Sequence, residues 1–368
     1  MRFLGVLSGT SADGIDIALA DFADGISLID FDTLPFPDSL QQALRQLPGR
    51  HATLSQLGPL QQQLDTAFAD AVNAFLARHE RQAITAIGFH GQTLWHDPTH
   101  GFSVQLGSPD ALAAATGLPV VAGFRQSDLA LGGQGAPLAP LFHAELCRDQ
   151  PRPCAFVNIG GIANVSLIDD SGVTGWDTGP GNGILDEIAQ RHFDQPFDRD
   201  GRIAASGQVD EAALATLLRH PYFSAPPPKS TGREQFNLHW LERTLERPLP
   251  PEDLMATATA LTAAALAHDL APHRPQKVFI SGGGAENPVL MARIRDFLSR
   301  FGGGQAATPQ KWGRPRPDAV EGLLFAWLAW KRWTGQPLDY TGITGARQPG
   351  LYGALHLPKP MPEVDGIR

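Results

Sequence analysis

Phe3-Leu4-Gly5-Val6-Leu7-Ser8-Gly9-Thr10-Ser11-Ala12-Asp13-Gly14-Ile15-Asp16-Ile17-Ala18-Leu19-Ala20 decides the reading of this chain. An apolar run enters a turn of small, hydroxylated and acidic residues, and a second apolar run leaves it. The same device returns in mid-chain as Ala155-Phe156-Val157-Asn158-Ile159-Gly160-Gly161-Ile162-Ala163-Asn164-Val165-Ser166-Leu167-Ile168. Each reads as strand, glycine turn, strand. Glycine lets backbone N–H groups converge on an anion, and hydroxyls add further donors. One such hairpin alone reads as an ordinary β-turn. Two of them predict two copies of a phosphate-gripping half with a nucleotide held between them.

The flanking pattern extends the repeat. Residues 26–34 read as a third strand. Leu57, Leu60, Leu64, Phe68, Val72 and Phe75 mark one face of a long amphipathic helix. Strand 84–89 ends at His90-Gly91-Gln92-Thr93, strand 104–106 follows, and Ser108-Pro109 opens a helix that stops at Gly117 before strand 118–122. The half reads βββαβαβ. From about Pro151 the order βββα recurs, with strands 155–159, 162–168 and 173–176 and a helix from Gly183. Later elements are helix 256–270, strand 277–281, helix 288–300 and helix 320–333. Residues 226–233 read as an ordered surface or cleft loop.

A chain of 368 residues with 42% hydrophobic and 18% charged residues fits a two-domain globular protein, divided as 1–128 and 129–368, with the extreme C-terminus able to return to the first domain. The net charge of −9 argues against nucleic acid or an anionic membrane as partner. No signal-peptide pattern and no unbroken apolar run of membrane length are read. Cys147 and Cys154 are expected to be buried, inert thiols in a reducing compartment, so the expected address is the cytoplasm.

Three groups of residues suit chemistry. Trp176-Asp177-Thr178-Gly179-Pro180-Gly181-Asn182 lies between a strand and a helix, where glycines admit phosphate and Asp177 can accept a proton from an attacking hydroxyl or water. An Asx-turn or helix cap is the plainer reading of Asp177. Ser281-Gly282-Gly283-Gly284-Ala285 offers bare backbone to a flat ring or a ribose, or is a flexible turn. His90, Gln92 and Arg125 follow strands of the first half and suit a hydroxylated or carboxylated substrate. Asp13, Asp16 and Glu321 are candidate carboxylates for magnesium, directly or through water. His90 and His96 lack the further ligands of a transition-metal site. Trp327, Trp330 and Trp333 fall at helical spacing and read as packing.

Together with Gly132-Gly133-Gln134-Gly135-Ala136-Pro137-Leu138, Pro227-Pro228-Lys229-Ser230-Thr231-Gly232-Arg233-Glu234 and Thr344-Gly345-Ala346, these motifs resemble the anhydro-N-acetylmuramic acid kinase family nearly end to end. The resemblance implies an α/β fold of duplicated βββαβαβα actin-like ATPase (ribonuclease H-like) domains flanking a cleft. It implies ATP and Mg2+ as cofactors, a homodimer, and hydrolytic opening of 1,6-anhydro-N-acetylmuramic acid with phosphorylation of O6 in peptidoglycan recycling. Asp177 matches the family's base. The implied ATP residues are Ser8, Gly9, Thr10, Ser11, Ala12, Asp13, Gly14, Ile15 and Asp16, then Asn158, Gly160, Gly161, Asn164, Gly179, Gly181, Asn182, Gly282, Gly283 and Gly284. The implied substrate residues are His90, Gln92, Arg125 and Gln134. Gly123, Leu7, Ala12 and Gly322 depart from the family pattern of an acidic residue, Met, Leu and Ala, and Gly123 bears on the stiffness around Arg125. The competing readings are another sugar or acid kinase of this fold and a non-catalytic ATP-driven switch.

Overall fold

The computed structural model describes residues 1–9, 12–47, 52–227 and 229–358. Thr10, Ser11 and Pro228 lie outside the described residues. Two compact units separate by internal contact. One is Met1–Phe142 together with the chain from Ala319 onward, and the other is His143–Asp318. The sequence reading put the division at 128/129.

Among the described residues, twelve strands form two sheets: β1 (Arg2–Ser8), β2 (Ile15–Asp21), β3 (Ser27–Leu34), β4 (Ile84–Asp97), β5 (Phe102–Leu106), β6 (Val120–Ala122), β7 (Cys154–Ile159), β8 (Ile162–Asp169), β9 (Gly172–Pro180), β10 (Lys277–Ser281), β11 (Gln305–Ala307) and β12 (Ala354–His356). The first sheet runs β3-β2-β1-β4-β6-β12 with β5 paired to β4, and the second runs β9-β8-β7-β10-β11. In each sheet three strands form an antiparallel meander, and the next two are added parallel to its first strand. The two units therefore share one topology, the duplicated α/β arrangement of actin-like ATPases.

In the first unit, helix Leu54–Leu76 lays Leu64, Phe68, Val72 and Phe75 on one face of the sheet, where they bury Val6, Ile17, Ile87 and Phe89. Helix Val320–Trp333 covers the other face. It can approach because Gly5 and Gly88 have no side chains. A Cβ at Gly5 would lie 1.8 Å from the Gly322 carbonyl oxygen, and one at Gly88 would lie 1.9 Å from that of Phe325. Gly322 is small for the same reason, since its own Cβ would meet the Ala18 Cβ at 2.8 Å. Trp327 is buried, Trp330 stacks on Phe22 at 5.1 Å and Trp333 meets Phe3 edge-on, so all three pack.

β4 does not stop at Phe89. It runs through His90-Gly91-Gln92-Thr93 to Asp97 and folds back as β5. Gly91 takes a left-handed φ of 74° at the register shift past which β4 still pairs with β1, as Leu7 with Gly91 and Ser8 with Gln92. The polar motif therefore hid a bulged continuation of the strand. In the second unit, helix Pro251–Leu270 is the core element. The segment Pro251–His273 has the length and hydropathy (1.3) of a membrane span, but 83% of its apolar window is buried against its own unit. Cys147 and Cys154 are free and buried.

Candidate active site

The second unit gathers three glycine segments at one end of its sheet. The β7–β8 hairpin turns at Gly160-Gly161, with Asn158 paired to Asn164. The turn entering helix Asn182–Phe193 is docked on that hairpin. Gly181 and Gly183 N–H donate to the Gly161 carbonyl (both 3.1 Å), and Asn182 N–H donates to that of Gly160 (2.7 Å). The N–H groups of Gly181 and Asn182, expected to greet phosphate, are thus already engaged. Among the described backbone hydrogen bonds outside helices and strands, none uses the N–H of Gly160 or Gly161. Gly282 and Gly284 close the group from β10, packed against Asn158 Oδ1 and the Ile159 side chain.

These glycines differ in what they face. A Cβ at Gly181 would strike the Gly160 oxygen at 2.4 Å, so Gly181 is small for internal packing, and its neighbour Gly179 has φ 140° with Phe223 at 2.8 Å. At Gly160 the nearest atom would be 3.8 Å away and φ is not left-handed, so a Cβ fits there without strain. Gly160→Val is accordingly expected to fold normally and to weaken ATP binding about tenfold or more, the effect of about 1.4 kcal/mol. Calorimetric titration checks this, and unchanged affinity would make the hairpin structural only.

Asp177 sits in β9 opposite Asn164. Its N–H donates to the Lys229 carbonyl (3.1 Å), its carbonyl accepts from the Tyr222 hydroxyl (2.7 Å), and its Oδ2 accepts from Thr231 N–H (3.0 Å). Burial raises the Asp177 pKa, and the Thr231 N–H opposes that shift. One carboxylate oxygen is therefore anchored while the group as a whole is a better base than an exposed aspartate. The loop that supplies these contacts is held from below. Lys229 Nζ pairs with Asp269 Oδ1 at 2.9 Å with both side chains almost wholly buried, and it also donates to the Tyr222 carbonyl (3.2 Å). Trp176 Nε1 donates to Asp269 Oδ2 (3.1 Å).

The sequence reading singled out this loop but assigned no role to Lys229, Thr231 or Arg233. The Arg233 guanidinium lies over Gly161 and Gly183, within 2.4 and 2.8 Å of where their Cβ atoms would stand. A lysine and an arginine in a segment rich in proline and glycine were the available signal.

In the first unit, Ser8 at the end of β1 is the register partner of Gln92 within β4, and Gln92 Nε2 donates to the Gly9 carbonyl (3.1 Å). Ser8 Oγ and Gln92 Oε1 are buried with no partner among the described residues, which leaves an acceptor and a hydroxyl for a ligand. Ala12 N–H donates to the Gly9 carbonyl (3.0 Å). Ala12 itself has φ 52°, and Gly14 fits tightly under the Leu34 carbonyl. Ile15 is core.

His90 Nε2 accepts from Arg125 Nε (3.0 Å), so Nδ1 carries the proton and donates to the Gly91 carbonyl (3.2 Å). Burial, reinforced by the Arg125 charge, drops the His90 pKa to about 3, which keeps the ring a neutral acceptor. Burial also lowers the Arg125 pKa, while the nearby Glu321 and Asp128 carboxylates raise it. His90 and Arg125 line a cavity of about 200 Å³ with Gln105, Gly123, Gln126 and His356. Gly123 has φ 78° just before helix Phe124–Ala130. Gln134 is exposed at its side chain and fixed by its N–H to the Thr344 carbonyl (3.0 Å).

The three candidate metal carboxylates do not form one cluster. Asp13 is exposed and pairs with Arg45 at 2.6 Å, and Asp16 Oδ1 accepts from the Thr33 hydroxyl at 2.6 Å. Among the described residues no three His, Cys, Asp or Glu side chains converge to hold a metal. Such a donor set fits Mg2+ only in its usual kinase form, mostly hydrated and leaning on phosphate oxygens.

A family model for anhydro-N-acetylmuramic acid kinase matches residues 1–358. The chain belongs to this family. It is a kinase, a phosphotransferase. Among solved structures it is similar to component A of the (R)-2-hydroxyglutaryl-CoA dehydratase of Acidaminococcus fermentans, at 10% identity and TM-score 0.46 over 91% of this chain and 99% of that one. It is similar also to the activator of the Clostridium difficile 2-hydroxyisocaproyl-CoA dehydratase with bound ADPNP, at 12% identity and TM-score 0.43 over 92% and 99%. A third is a ROK family glucokinase from Streptomyces griseus with glucose and AMPPNP, at 14% identity and TM-score 0.41 over 89% and 99%.

Proposed function

We propose that this kinase opens 1,6-anhydro-N-acetylmuramic acid with water and transfers the γ-phosphoryl group of ATP to the released O6, giving N-acetylmuramate 6-phosphate for peptidoglycan recycling in the cytoplasm. The observation that carries this reading is the Asp177 carboxylate, held by one oxygen to Thr231 N–H and raised in basicity by burial, beside a glycine hairpin with unengaged N–H groups. Membership of the family supports the choice of sugar.

In this reading Asp177 takes a proton from water as its oxygen bonds to the anomeric carbon. The C1–O6 bond breaks, its electron pair stays on O6, and O6 attacks the γ-phosphorus as ADP leaves. Gly160 and Gly161 N–H groups and the Arg233 guanidinium receive phosphate charge. Ser8 Oγ and Gln92 Oε1 are orphan groups for nucleotide or sugar, and Arg125 with His90 orients the acidic sugar. Mg2+ would be held through water by Asp16, with Asp13 restrained by Arg45, and would neutralise phosphate charge when bound.

Reaction in water enriched in ¹⁸O tests the proposal. Label is expected at C1 of the sugar phosphate and not in the transferred phosphoryl group. A conventional sugar kinase would phosphorylate an already open sugar without taking solvent label. A non-catalytic switch would place label in inorganic phosphate, and that outcome, with no sugar phosphate, would overturn the proposal.

A further inference from the structure

Asp128 has no role in the reaction above, yet it is a carboxylate with 0% exposure. Burying a carboxylate is costly unless its oxygens are fully hydrogen-bonded. Here Oδ1 accepts from the hydroxyls of Thr344 (2.7 Å) and Tyr352 (2.9 Å), and Oδ2 accepts from Gly135 N–H (2.6 Å). Burial, the hydrogen bond to Asp128 and its negative charge push the Tyr352 hydroxyl far above its ordinary pKa, so it stays a donor. The Asp128 carbonyl also accepts Gly133 N–H (2.9 Å), and a Cβ at Gly133 would lie 2.2 Å from Oδ2. Asp128 thus holds two N–H groups of the turn, Gly133 through its backbone carbonyl and Gly135 through its carboxylate.

The turn then reaches the substrate residues. The Gly135 carbonyl accepts from Arg125 Nη1 at 2.9 Å, and Arg125 Nε goes to His90. Those two bonds set the direction of the guanidinium. Gln134 N–H is tied to the carbonyl of Thr344, the residue whose hydroxyl binds Asp128. We propose that Asp128 is a positioning residue, which aims Arg125 and Gln134 at the sugar by fixing Gly135 through its N–H, so that the Gly135 carbonyl stands where Arg125 donates to it.

Asp128→Asn separates this from a merely structural role. Asparagine keeps the shape and can accept the two hydroxyls through its single oxygen, but its NH2 then opposes Gly135 N–H, which displaces Gly135 and with it the carbonyl that accepts from Arg125. The expected result is a rise in KM for the anhydro sugar of about tenfold or more, the weight of one hydrogen bond to a charged group, with KM for ATP unchanged. Thr344→Val keeps the charge and the Tyr352 bond, so the same split is expected at several-fold size if Asp128→Asn does not fold. Ile294→Ala, in the core of the other unit, serves as a control of matched instability.

This inference rests on the substrate role given to Arg125, so Arg125→Ala is measured alongside. A rise in sugar KM with Arg125→Ala but not with the Asp128 or Thr344 variants overturns the positioning role. Equal rises in both KM values, or a rise no larger than that of Ile294→Ala, overturn it too. An unchanged sugar KM with Arg125→Ala removes the reading beneath it.

Discussion

Asp177→Asn is expected to cut turnover by about 10²-fold or more, the usual contribution of a general base, while leaving both KM values nearly unchanged. The variant can fold, because an amide oxygen still accepts Thr231 N–H and the backbone bonds to Lys229 and Tyr222 do not involve the side chain. It is also expected to melt higher than the parent at neutral pH. Burial raises the folded pKa of Asp177 above its unfolded value. Such a group costs nothing below the unfolded pKa, where it is protonated in both states. Its penalty builds up as pH rises from the unfolded pKa to the raised folded pKa and is constant above that, because the charged form is the one that burial disfavours. The stabilisation by asparagine should therefore be present at neutral pH and vanish in acid. The same shift moves the acid limb of the parent's turnover to higher pH than an exposed aspartate would give. Calorimetry across pH, with steady-state kinetics, checks all three. Near-parental turnover in the folded variant would remove Asp177 from the chemistry.

Lys229→Met should produce the largest loss of stability, about 3–5 kcal/mol, because it leaves the Asp269 carboxylate buried and unpaired. Lys229 and Asp269 are only 5% and 7% exposed at their side chains, so solvent screens this pair little. Burial already pushes the Asp269 carboxyl up despite its bonds to Lys229 and Trp176. Replacing both partners, as Lys229→Met with Asp269→Leu, removes the stranded charge and should melt above the single variant, although Trp176 N–H and the Tyr222 carbonyl lose partners. Activity should fall in both, since the Lys229 backbone carbonyl holds Asp177 N–H. A single variant that melts within about 1 kcal/mol of the parent, the range of an exposed pair, would show that the pair is not buried in solution.

Periodicity and turn chemistry carried much of the fold. Leu64, Phe68 and Phe75 announced the helix over the first sheet, and the Ser108-Pro109 start was met by Ser108 Oγ accepting Ala111 N–H at 3.1 Å. Asn287 likewise caps helix Pro288–Arg300 through Val289 and Leu290 N–H. β11 and β12 were missed because three residues each carry no readable alternation. The helices between Arg202 and Thr244 were also missed, since short helices draw their stability from packing rather than propensity.

By itself the sequence determined the duplicated meander and the glycine hairpins, because these depend on residues close in the chain; Asp177, read as following a strand that ends at Trp176, lies instead inside β9, which pairs on to Pro180. Only the tertiary structure decided which of those groups are engaged. Gly181, Asn182 and Gly183 N–H groups turned out to bind the hairpin that precedes them, and Asp13 turned out to bind Arg45. It also decided the supports: Asp269 under Lys229, and Thr344 and Tyr352 on Asp128, pairs separated by 40, 216 and 224 residues. A buried charge must find its partners wherever packing brings them. No local pattern records that choice, so the groups that hold the site are visible only in the folded chain.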